Sequence, residues 1–162
     1  MEATAAYALC ILRPDGGSSV NGVVRFIQQA GGKTRVIAEI TGLPAGLHGF
    51  HVHKFGNLIE GCKTAGPHFN PHGKEHGGPL SEERHVGDMG NVDAGEDGVA
   101  KLDYEDAQIE LIGEHSIIGR SVVCHAGTDD HGEGGHDDSK TTGHAGARLA
   151  CGTIGLSDTF DV

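Results

Sequence analysis

Phe50-His51-Val52-His53 sets two imidazoles one residue apart in a segment that reads as a β-strand. Side chains two apart on a strand share a face, so both rings aim at one point from a rigid backbone. That is half of a metal site. Further donors follow along the chain. Pro67-His68-Phe69-Asn70-Pro71 holds a histidine between two prolines, where the backbone has little freedom. His76 precedes a Gly-Gly turn, His85 and Asp88 can chelate one ion from a tight loop, and His125 ends an apolar run. Imidazoles without thiolate suit Cu(II), and three nitrogens with a carboxylate suit tetrahedral Zn(II). Seven donors fall one short of two four-coordinate sites, so one histidine has to be shared. A doubly deprotonated imidazole can bridge two cations, whose charge stabilises it. Each donor alone reads as an ordinary surface histidine; their joint occurrence in one short chain carries the metal reading.

Rigid elements must bring these donors together. Alternating or β-branched stretches predict strands near 6–12, 20–28, 35–40, 47–55, 90–92, 99–102, 120–125 and 148–154. Turn signals such as Pro14-Asp15-Gly16-Gly17 and Glu96-Asp97-Gly98 separate them. Eight short strands without sustained helical periodicity predict an all-β fold, an antiparallel sandwich or barrel, over residues 1–162 as one domain. Two long segments, 56–86 and 126–147, break the strand rhythm with Gly, Pro, Asp and His. Loops of such length are functional or disordered, and their histidines favour function.

Gly at 28 of 162 residues fits a protein of many turns. The formal charge of −11 argues against nucleic acid and anionic membranes as partners. It leaves open a small anionic substrate drawn to a local basic patch. No run of 18 apolar residues is present, and the first twelve residues lack the pattern of a secretory leader, so the expected compartment is the cytosol. Cys10, Cys62, Cys124 and Cys151 form no CxxC pair. In the cytosol they read from spacing as four buried thiols.

The chain resembles copper/zinc superoxide dismutases of the cytosolic type from end to end. The resemblance rests on His48-Gly49-Phe50-His51-Val52-His53, Ala65-Gly66-Pro67-His68-Phe69-Asn70-Pro71 and His76-Gly77-Gly78-Pro79. It continues through Glu83-Arg84-His85-Val86-Gly87-Asp88, Ile117-Ile118-Gly119-Arg120 and Gly146-Ala147-Arg148-Leu149-Ala150-Cys151-Gly152. It implies an eight-stranded antiparallel Greek-key barrel with two long functional loops. It implies one copper per subunit on His51, His53, His68 and His125, and one zinc on His68, His76, His85 and Asp88, with His68 as the bridge. Asp129 is implied to link ligands of the two metals through hydrogen bonds, His48 to be structural, and His115 to be no ligand. Cys62 and Cys151 are implied to form a disulfide. The implied activity is dismutation of superoxide by alternate reduction and reoxidation of copper, with Arg148 holding the anion and His68 carrying a proton. A homodimer is implied, and a copper chaperone is a further partner to expect for loading. The alternative is a non-enzymatic copper/zinc protein, chaperone-like or a metal buffer; the absence of an MxCxxC segment and the retention of Arg148 weigh against it.

Departures from the family pattern are local. Lys140 stands one place before the usual loop lysine, Thr141 occupies that place, and Gly127 stands where lysine is frequent. Either Lys140 compensates or steering weakens, and the expectation is a shallower fall of rate with ionic strength. His72, His131, His136 and His144 are extra and read as loop-surface residues, with weak metal binding near the channel mouth as the sharper alternative. Cys124 beside His125, and Cys10, read as core. Asn57 stands where Asp is common, near the expected dimer contact.

Overall fold

The structure, a computed structural model, describes residues 4–162. The reading of the first twelve residues as lacking a leader therefore falls partly on 1–3, which lie outside the described residues.

Strands β1 (Ala6–Pro14), β2 (Asn21–Gln28) and β3 (Thr34–Thr41) follow the alternation that exposes one face and buries the other. Their inward residues include Cys10, Leu12, Val24, Phe26, Val36 and Ile40. Strands β4 (Gly46–His53), β6 (Asp88–Ala94), β7 (Ala100–Asp106), β8 (Ser121–His125) and β9 (Arg148–Ser157) complete a closed barrel in the order β1-β2-β3-β7-β6-β4-β8-β9. Every pairing is antiparallel. The jump from β3 to β7, and the place of β4 between β6 and β8, are Greek-key crossovers. Closure leaves the barrel sheet itself without an edge strand.

β6 and β7 run well beyond the predicted 90–92 and 99–102. Their outward positions carry Asn91, Asp93, Lys101, Asp103 and Glu105, residues of low strand propensity, although polar and apolar positions alternate regularly. Two small elements lie inside the segments read as loops. β5 (Ile59–Cys62) and a 3₁₀ turn at Lys63–Ala65 fall in the first, and α1 (Ser139–Thr142) in the second.

β8, and β4 from His48 to His53, are buried on both faces. Phe50, Val52, Val122 and Cys124 enter the barrel core. Strand alternation then forces His51, His53, Val123 and His125 onto the outer face, where the two long loops cover them.

Two devices pin the first loop. Arg84, 1% exposed, donates to Asp106 at the end of β7 at 3.0 and 3.2 Å, and to the carbonyls of Pro79, His85 and Val86. Removing one partner of so buried a pair costs about 3–5 kcal/mol. Cys62 of β5 is bonded to Cys151 of β9, 89 residues on, and the bridge forms a small second core with Ala65 and Val123. This corrects the spacing-based reading of four thiols and agrees with the resemblance. Closing such a loop contributes about 2–4 kcal/mol. Cys10 and Cys124 are free and buried, and desolvation pushes both thiols up to about 12. They pack as small hydrophobes.

Candidate metal centre

His51, His53, His68 and His125 bring one ring nitrogen each within 4.8 Å of one another, and all four are buried. His51 and His53 come from β4, and His125 from the end of β8 across a bulge. His68 is delivered by the first loop, which pairs with the end of β4 through a single His53↔His68 bridge. The far nitrogens are committed elsewhere. His53 Nδ1 lies 2.8 Å from the Gly66 carbonyl, and His125 Nδ1 lies 3.1 Å from that of Gly146. His51 Nε2 lies 2.7 Å from Asp129 Oδ2. The inward nitrogens are left facing each other: His53 Nε2 and His125 Nε2 are 3.3 Å apart, while His51 Nδ1 and His68 Nε2 are buried with no hydrogen-bond partner.

A second convergence lies on the other side of His68. Asp88 Oδ1 is 2.9 Å from His68 Nδ1, 3.0 Å from His76 Nδ1 and 3.2 Å from His85 Nδ1. His68 Nδ1 and His85 Nδ1 are themselves 3.2 Å apart. One carboxylate oxygen and three imidazole nitrogens crowd a point with too few protons and too poor angles to be satisfied by hydrogen bonding; His76 Nδ1 counts as unpartnered despite its proximity. A tetrahedral ion with bonds near 2.0–2.1 Å spaces its ligand atoms about 3.3 Å apart, close to what is seen. Asp88 Oδ2 accepts the amides of Gly77 and His85, which fixes Oδ1 on this point. Proximity also groups His51 with His68, His76 and Asp88. Since His51 Nε2 is held by Asp129 and its free Nδ1 belongs with the first cluster, His85 is the better fourth member of the second.

Asp129 ties the two clusters together. Its Oδ2 meets His51 Nε2 and its Oδ1 meets His76 Nε2, each at 2.7 Å. Asn91 of β6 holds Asp129 in place, accepting its amide and donating to its carbonyl. His48 spans the carbonyls of Pro44 and His125 and points at neither cluster.

Burial dominates the protonation of the first cluster. It pushes His51 and His53 well down, helped by the charge of neighbouring imidazoles, and His125 to about 4. Burial also lowers His68 against the opposing pull of Asp88. Neutral imidazoles are the form that binds a metal. In the second cluster burial would lower His76, but the bond to Asp129 and the nearby Asp88 carboxylate outweigh it and raise the group to about 9. Burial would raise Asp88, yet the three imidazoles hold it well below the carboxylate range.

Arg148 opens β9 directly opposite His125 in the register. It is half-buried, and Nη1 donates to the Cys62 carbonyl at 2.8 Å. After burial itself, its positive charge adds to the depression of His53 and His125, so the guanidinium sits beside the first cluster. Lys140 lies 3.6 Å from Glu75, which offsets its charge. Gly127 sits 3.0 Å, by an added Cβ, from the Ala145 carbonyl, so a larger side chain there would be tight.

His72, His131, His136 and His144 are exposed, as read from sequence, and none joins either cluster. His136 and His144 stack at 3.7 Å, and His144 contacts Asp138. His115 packs edge-on to His72 and is no member of either set. Asn57 Oδ1 accepts the Ile59 amide in a local turn. Sequence reading missed the Asn91 side chain and the carbonyls of Gly66, Gly146 and Cys62; the carbonyls are main-chain groups, which carry no signal in residue identity.

A Greek-key barrel with two histidine clusters meeting at one imidazole defines a dinuclear metalloprotein of the copper/zinc kind. The family model described as Copper/zinc superoxide dismutase (SODC) matches residues 20–154. A curated relative from Mesembryanthemum crystallinum, "Superoxide dismutase [Cu-Zn] 2", is 56% identical over 142 residues, covering 88% of this chain and 91% of the relative. The chain belongs to the copper/zinc superoxide dismutase family.

Proposed function

We propose that the chain dismutes superoxide, taking two superoxide ions and two protons to O₂ and H₂O₂, with copper on His51, His53, His68 and His125 and zinc on His68, His76, His85 and Asp88. The supporting observation is His68, whose Nδ1 faces Asp88 and His85 while its Nε2 is buried without a partner beside the other histidines. Copper bound there supplies one-electron exchange, and zinc a fixed charge that orients His68 and tunes its basicity.

The chain's own groups do the rest. Arg148 is permanently charged and binds the anion, which its position opposite His125 supports. His68 Nε2 would carry one proton to the departing peroxide, and solvent the second. Asp129 holds the rings of His51 and His76, so both donor sets keep their geometry through turnover. His48 braces the carbonyl of His125.

Residues 1–162 then act as one domain. A homodimer fits the family, and exposure of Phe55 and Ile59 (47% and 86%) supports it; the molar mass of the loaded protein in solution tests it. Burial of every copper donor supports delivery by a copper chaperone. The cytosol is the proposed compartment, and Cys62–Cys151 is then a disulfide of a kind rare there. No helix among the described residues is long and apolar enough to cross a membrane. The test of function is superoxide decay with copper- and zinc-loaded protein against the metal-stripped chain. Rapid decay with the loaded protein alone is expected, and equal decay in both would remove the reading.

A further inference from the structure

A cavity of about 680 Å³ opens between the two long loops on the outer side of His68 and His85. Lys54, Lys74, Arg120 and Lys140 line it, with Glu75 as the one carboxylate on its wall. The whole chain has 12 lysines and arginines against 23 acidic residues, so four cations around one cavity reverse the sign of the molecule locally. Arg148 is not on this wall.

The way these cations are held matters more than their number. Arg120 lies 3.7 Å over the Phe69 ring and donates to the carbonyls of Ser116 and Lys54. Lys74 donates to the carbonyl of Glu82. Lys54 rests over the ring of Phe55 and meets no carboxylate within ion-pair distance among the described residues. Carbonyls and rings position a cation without cancelling its charge. Only Lys140 meets an acid, Glu75, at 3.6 Å and largely in solvent. The cavity is thus lined by cations that are partly ordered in advance and left with free donors.

We infer that this cavity binds a tetrahedral oxyanion of the phosphate class, at a site separate from the guanidinium that faces His125. A dianion suits it because one charge would leave the local excess unbalanced. Arg120 and Lys74 supply oriented donors, and Lys54 and Lys140 close over the anion from the rim.

Inorganic phosphate titrated into the copper- and zinc-loaded protein at constant ionic strength tests this, with calorimetric readout and sulfate as a second probe. One saturable phosphate per chain is expected. Lys54→Ala and Lys74→Ala should each weaken it about tenfold, Lys54→Arg should restore it, and Arg148→Ala should change it less than about threefold. Lys54→Ala removes an exposed side chain and Lys74→Ala a half-buried one whose ammonium reaches the Glu82 carbonyl, and unchanged melting temperatures verify their folding. Absence of saturable binding, or binding that follows Arg148 instead of the two lysines, overturns the inference.

Discussion

Arg148 donates from Nη1 to the main-chain carbonyl of Cys62 across 2.8 Å, although 86 residues separate them. The carbonyl is where it is because Cys62 is bonded to Cys151, three residues beyond Arg148. One covalent clip therefore fixes both the loop and the guanidinium that faces His125.

Breaking that clip should impair activity by more than it impairs folding. Cys62→Ser is expected to cost about 2–4 kcal/mol in a denaturation experiment on the loaded protein. Arg148→Ala should cost about 1–2 kcal/mol for the lost bond to the Cys62 carbonyl while cutting superoxide turnover by about tenfold or more. At a temperature where Cys62→Ser is still folded, its turnover should also fall. Full turnover in the folded Cys62→Ser protein would show that Arg148 does not depend on the bridge.

Gly143 has φ +68°, and a Cβ there collides with Asp129 Oδ1 and His76 Nε2. Gly143→Ala is expected to cost about 1–2 kcal/mol for the left-handed backbone and to push Asp129 off His76. Zinc affinity should fall about 10–100-fold, as is usual when a group orienting a metal ligand is lost. Chelator competition measures it, and unchanged affinity would count against Asp129 as the positioning group.

The Lys140–Glu75 contact bears on how superoxide is drawn in. Glu75→Gln should free the ammonium, raise the rate at low ionic strength and steepen its fall with salt. A rate insensitive to this change at every salt concentration would place Lys140 outside the approach path.

The buried thiols give a pH dependence with a definite sign. Cys10 and Cys124 titrate near 12 in the fold and near 9 when unfolded. Between those values the unfolded chain sheds protons that the folded one keeps, so stability is complete below about 9 and falls as pH rises toward 12. Each thiol contributes a slope of at most about 1.4 kcal/mol per pH unit. Denaturation midpoints at pH 8 and 10.5 should separate more for the parent than for a Cys10→Ala, Cys124→Ala protein. Equal separations would contradict it.

How far the site could be read in the sequence follows from what fixes each residue. His51 and His53 were legible because strand alternation alone makes them converge, and His125 because it ends an apolar run. Cys62 and Cys151 were not: 89 residues of sequence carry no trace of a contact that one loop and a barrel wall create, and only the family resemblance indicated it. The extent of β6 and β7 was underestimated because their outward residues, Asn, Asp, Lys and Glu, are poor strand formers, although the alternation itself is regular. The carbonyls that orient His53, His125 and Arg148 belong to no side chain, so no residue type could announce them.

The proposed sharing of His68 between two metals would separate this chemistry from metal storage. It is tested most directly by placing Co(II) in the zinc set beside Cu(II) and recording the electron paramagnetic resonance of the copper. A bridging imidazolate couples the two spins, so the Cu(II) signal seen with zinc should collapse when cobalt replaces it. A copper signal of the same shape and intensity with either partner would contradict a shared His68.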